Sequence, residues 1–133
     1  MVKLMVQERG RQDVQAAMAA ATVAAASRVA YVESRAFIGR LSREGRSNAR
    51  EAARARAMLE ALWNGLAVVD LDAELASSAG GLAERHGLRS MDAIHLASAV
   101  RLAAMSREPT SFATFDTRLA DAARRQGLRP VPD

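Results

Sequence analysis

Three acidic side chains in apolar surroundings are the residues here whose chemistry needs an explanation. Asp92 lies in Ser90-Met91-Asp92-Ala93-Ile94-His95-Leu96-Ala97-Ser98-Ala99-Val100. Apolar positions fall on nearly every side of this stretch through Met105, the pattern of a buried helix. A carboxylate in the first turn gains from the helix macrodipole, but a dry one also needs a cation or several donors. On a 3.6-residue wheel Glu33 sits between Val29 and Phe37, inside an apolar stripe, with Ala36 and Arg40 beside it. A salt bridge to Arg40 is the plain alternative. Asp116 stands where an apolar run stops, a position that also suits a helix N-cap. Gathered without a cation, such acids would repel one another and hold on to protons. A divalent ion resolves the conflict, and an all-oxygen set with no cysteine and no histidine pair favours Mg²⁺, with Mn²⁺ possible, over Zn²⁺. Such ions grip phosphates and activate water for attack.

The elements that must carry these acids alternate. Helix patterns cover residues 12–20, 27–41, 49–63, 72–86, 90–105 and 117–126, with Ser27, Asn48 and Ser90 as expected caps. Gly80-Gly81 interrupts the fourth helix, and Gly87 closes it beside His86, which reads as a group favoured by the C-terminal dipole. Short apolar runs at 22–26, 66–71, 111–115 and 128–131 read as strands, and residues 1–7 as the tail of a helix. Strands alternating with helices predict an α/β fold with a parallel sheet covered on both faces. Ligands of such sheets collect at the carboxyl ends of the strands, where Asp116 lies.

At 133 residues the chain is one domain's worth. Its formal charge is +4, carried almost wholly by arginine, the side chain best shaped to hold phosphate oxygens in pairs. Arg43, Arg46, Arg50, Arg54 and Arg56 recur at near-helical spacing, a candidate RNA-binding face and otherwise a solvated one. Cysteine is absent, which excludes disulfides and thiolate metal sites and is compatible with a reducing cytoplasm. No apolar run approaches the ~20 residues that span a bilayer.

Val2-Lys3-Leu4, Val32-Glu33, the block from Ser90 to Ala97, and Thr114-Phe115-Asp116-Thr117-Arg118-Leu119 resemble the successive signatures of PIN-domain ribonucleases, specifically VapC-type toxins. The resemblance covers the whole chain and implies a single three-layer domain over residues 1–133, with a central parallel sheet flanked by helices. It makes Glu33, Asp92 and Asp116 acidic metal-site residues, and Thr114 a supporting polar group in the catalytic set. It implies Mg²⁺-dependent endonucleolytic cleavage of RNA by in-line attack of water. It also implies a small VapB-type antitoxin that covers the site, a homodimer, and a cytoplasmic setting. His95 belongs to the signature but reads as a packed structural residue. Family members begin with an apolar strand ending in Asp, which here would lie ahead of Met1. The expectation is that this first, central strand is missing from the chain and that Met1 is an internal methionine. The second reading is a PIN-like remnant that binds antitoxin or RNA without cleaving.

Overall fold

The computed structural model describes residues 10–133, so the helix tail expected over residues 1–7 lies outside the described residues. The order is α1 (Arg11–Ala20), β1 (Ala25–Ser27), α2 (Val29–Arg43), α3 (Ala49–Asn64), β2 (Ala67–Val69), α4 (Ala73–His86), α5 (Ser90–Met105), β3 (Ser111–Ala113), α6 (Thr117–Arg125) and β4 (Arg129–Val131). Each strand is shorter than the apolar run that announces it, because a ladder extends only as far as its partner follows. β1 pairs parallel with β2, Ala26 opposite Val68. β3 pairs parallel with β4, Phe112 opposite Pro130. Pro130 has no N–H to give, which suits β4 to an edge.

Parallel pairing is as the alternation predicts. Among the described residues, however, the strands form two separate two-stranded sheets rather than one continuous central sheet. Helices supply most of the packing. Leu75, Ala79 and Leu82 of α4 meet Ala93, Leu96 and Ala97 of α5, and Phe112, Leu119, Ala122, Ala123 and Leu128 complete the larger core. Helix α4 runs unbroken through Gly80 and Gly81, both solvent-exposed. Each glycine costs a helix about 1 kcal/mol against alanine, and burial of Leu75 and Leu82 on the opposite face outweighs that. A smaller core of Ile38, Ala52 and Leu59 joins α2 to α3, beside Tyr31, whose hydroxyl donates to Glu60 at 2.6 Å.

Asn48 caps α3 as expected, in a reciprocal box with Glu51. Ser27 and Ser90 do not cap. The N-cap positions belong to Arg28 and Arg89, neither with a side-chain cap bond. Arg28 N–H donates to the Val69 carbonyl at 2.9 Å, carrying the β1–β2 ladder to the very start of α2. That holds Ser27 in the strand, buried. Ser90 is already helical because the chain turns one residue earlier, at the extended Arg89.

Gly10 opens α1 with a positive φ of 85°. A Cβ there would stand 2.7 Å from Pro132 and 2.9 Å from Phe115, so α1 starts hard against the chain beyond β3 and β4. Only glycine satisfies both the angle and the space.

Candidate active site

Helix α5 positions most of the site. Its residues are buried or half-buried from Met91 through Ala103, so it has no wet face, as its sequence requires. Asp92 sits in its first turn, half-buried, where the helix dipole favours negative charge. Among the described residues it has neither a hydrogen-bond nor an ion-pair partner. One turn further along the same face is His95, whose Nε2 lies 2.5 Å from Oε2 of Glu33 on α2. A carboxylate only accepts, so Nε2 carries the hydrogen. The side chains are 24% and 37% exposed, so the contact is neither a fully buried pair nor a free surface one. Arg40, the local alternative partner for Glu33, instead lays its guanidinium 5.3 Å from the Phe37 ring centre.

Asp116 and Thr114 form the second group. Asp116 is the N-cap of α6, its Oδ1 accepting from Leu119 N–H at 2.9 Å. Its own N–H donates to the Thr114 hydroxyl at 3.1 Å. Thr114 is held in turn by its N–H to the Val131 carbonyl, 3.0 Å, just past the end of β3. Oδ2 of Asp116 takes no hydrogen bond among the described residues.

Glu33 is thus brought to the face of α5 that carries Asp92, and Thr114 to Asp116. No group of three or more Asp, Glu or His side chains that could hold a metal ion is present among the described residues. The donor chemistry still fits a hard cation. The acids offer only oxygens, Asp92 and Oδ2 of Asp116 are uncommitted among the described residues, and Mg²⁺ sites use as few as one or two carboxylates with water and substrate phosphates.

A different acid is fully engaged. Asp72 caps α4 through Leu75 N–H at 2.8 Å, and Arg101 of α5 grips both its oxygens at 2.8 and 2.9 Å. The Arg101 guanidinium first, then the Leu75 amide, holds the Asp72 carboxyl well below the usual carboxylate range. Arg28 likewise lowers Asp70 through a direct hydrogen bond at the end of the β1–β2 pair. These pairs fasten elements together and leave the candidate acids alone.

The arginine series beginning at Arg43 is solvent-exposed throughout, and Arg46 pairs with Glu44, 3.5 Å away. A more organised basic feature is a cleft of about 280 Å³ lined by His86, Thr117, Arg118, Asp121, Ala122 and Arg125. His86 is in the last turn of α4, and its Nε2 lies 3.2 Å from the Gln126 amide nitrogen. Sequence reasoning passed over this cleft because it joins the end of one helix to the side of another. It read His95 as a packed structural residue and did not foresee its contact with Glu33, although the three-residue spacing from Asp92 was a signal that both share a face.

Residues 1–125 match the family model described as PIN domain. The chain is also similar to two ribonucleases of Mycobacterium tuberculosis, "Ribonuclease VapC45" of strain CDC 1551 / Oshkosh and "Ribonuclease VapC49" of strain ATCC 25618 / H37Rv. Each is 35% identical over 131 residues, spanning 98% of this chain and 89% of the relative. No helix among the described residues is long and apolar enough to cross a membrane.

Proposed function

The chain belongs to the PIN-domain family and to its VapC-type toxins, and from that premise we propose that it is an endoribonuclease toxin whose Glu33, Asp92 and Asp116 hold Mg²⁺, with Mn²⁺ as a substitute. The observation that carries this is the Glu33–His95 hydrogen bond across 62 positions of sequence. Residues three apart on a helix have Cβ atoms roughly 5 to 6 Å apart, so a carboxylate anchored on His95 lies within a turn of Asp92. What a divalent ion supplies in such a site is positive charge, which offsets phosphate oxygens and lowers the pKa of water for in-line attack on phosphorus.

The protein's own groups divide the work. Asp92, in the first turn of α5 and without a partner among the described residues, offers both oxygens. Glu33 offers the oxygen that His95 leaves free. Asp116 gives one oxygen to the α6 cap and keeps the other, while Thr114 fixes its backbone. RNA is the substrate, a small VapB-type antitoxin and a second copy of the chain are the partners, and the setting is cytoplasmic. For these the support is family membership. On the same basis the two strand pairs are halves of one sheet in a single three-layer domain. β1 and β3 each pair on one side only among the described residues, which leaves an edge on each for a further strand.

The test is Asp92→Asn in purified protein, which keeps size and hydrogen bonding but removes charge. Mg²⁺-dependent RNA cleavage falls about a hundredfold or more, the scale of losing a main electrostatic stabiliser, while circular dichroism is unchanged. Undiminished cleavage removes Asp92 from the mechanism. The second reading, a remnant that binds antitoxin or RNA without cleavage, is favoured by the lack of a three-ligand cluster among the described residues. It predicts a stable complex with a small neighbouring gene product and no cleavage by the parent protein under any divalent ion.

A further inference from the structure

The cleft between the end of α4 and the side of α6 begins at Thr117, the residue after Asp116, and its charged lining is unbalanced. Arg118 and Arg125 contribute two guanidinium groups. The one carboxylate, Asp121, is already paired with Arg124 at 3.0 Å. Arg118 spends one donor on the Gly87 carbonyl, 3.3 Å away, which ties it over the C-cap of α4. A guanidinium has five donors, so most remain. Arg125 has neither a hydrogen bond nor an ion pair among the described residues. Thr117 adds a hydroxyl, and His86 a ring edge.

The lining is therefore rich in unused donors and poor in free acceptors, which selects an anion. At about 280 Å³ the space is at the small end of ligand sites and suits a phosphate with its sugar rather than a whole cofactor. Arg118 and Arg125 are two helical turns apart, about 10 Å along α6, so they reach separate groups on one extended ligand. A polyanion laid along α6 from Asp116 would meet Thr117, then Arg118, then Arg125. We propose that this cleft is a phosphate-binding subsite that holds the RNA backbone flanking the bond cut at Asp116. This rests on the ribonuclease reading above and extends it to a strand path. Guanidinium contacts to phosphate fix the strand's position without reading its bases, so the subsite is sequence-tolerant.

The experiment measures binding of a fluorescein-labelled single-stranded RNA to the full chain by anisotropy, without divalent metal, across a salt series. Arg125→Gln, Arg118→Gln and the double variant are compared with the parent and with Arg107→Gln, an exposed arginine in the loop after α5. Arg125 is exposed and has neither a hydrogen bond nor an ion pair among the described residues, so its variant folds as the parent does even if Arg118→Gln is weakened. Each phosphate contact to a single strand contributes about 0.7 to the slope of log K against log salt. The double variant should therefore lose about 1.4 of slope. Between 50 and 200 mM salt its affinity then falls about sevenfold less than the parent's. The same loss should appear with RNAs of unrelated sequence, and Arg107→Gln should change nothing. If the parent binds RNA and the double variant keeps its slope, the subsite is overturned while the ribonuclease reading stands. If the parent neither binds nor cleaves RNA, the ribonuclease reading itself fails. A glutamate-rich peptide that binds through Arg118 and Arg125, with RNA binding unaffected by their loss, assigns the cleft to an acidic protein segment and overturns the proposal.

Discussion

Replacing His95 separates a positioning residue from a packing one. Its Nε2 is 2.5 Å from the Glu33 carboxylate, and the two side chains are 24% and 37% exposed. A hydrogen bond to a charged group contributes about 1.5 to 3 kcal/mol when buried, and an exposed ion pair about 0 to 1, so this contact is worth about 1 kcal/mol. For a chain of this length His95→Ala should lower Tm by about 3 to 5 °C. If the contact also aims Glu33 at a metal, a second consequence follows. Losing a hydrogen bond that orients a metal ligand typically weakens affinity 10- to 100-fold. Mn²⁺ binding followed by EPR should then show a Kd raised about tenfold in His95→Ala. His95→Gln, whose amide nitrogen can take the place of Nε2, should recover most of it. Arg40→Ala should leave Kd alone, because Arg40 lies over Phe37 and not against Glu33. A His95→Ala protein that loses Tm but binds Mn²⁺ as the parent does would make His95 purely structural and refute the orientation argument.

Two further outcomes follow from the structure. Gly10→Ala meets both a positive φ and a contact of 2.7 Å with Pro132. It should cost about 2 to 5 kcal/mol, the sum of the left-handed penalty and overpacking, read as the shift in urea midpoint; a loss below 0.5 kcal/mol would mean α1 starts elsewhere. The Asp72 carboxyl is held below its ordinary range by Arg101, so its contribution to stability is present above about pH 4, the ordinary aspartate value, and fades as pH falls below it. The Tm difference between parent and Asp72→Asn should be constant from pH 5 to 8 and shrink on further acidification; a difference that grows in acid would reverse the sign of the linkage.

Much of the architecture was legible because the long segments carry consistent signals. The unbroken apolar character of α5, the Asn48–Glu51 box, and the glycine after His86 all mark what the structure contains. The strands were legible as places but not as lengths, since three-residue ladders are set by partners some 40 positions away in one pair and fewer than 20 in the other. Ser27 and Ser90 misled for a related reason. A serine before a helix pattern predicts a cap, but the β1–β2 ladder claims Ser27 and the chain turns too early for Ser90.

The acids show most clearly where local reading stops. Asp72 and Asp116 carry the same mark, an aspartate ahead of an amphipathic helix, and both cap through the amide three residues on. What distinguishes them is the other oxygen. Arg101 from α5 occupies both oxygens of Asp72, whereas no cation among the described residues reaches Asp116. Glu33 is the converse case, since its visible local partner, Arg40, prefers an aromatic face and leaves the carboxylate for a histidine 62 positions away. Whether an acid fastens the fold or remains available to a ligand thus depends on which distant cation or donor packing delivers. Among the described residues Asp92 has no hydrogen-bond or ion-pair partner, with Met91, Ala93 and Leu96 around it on α5, and that makes it the most informative residue to substitute.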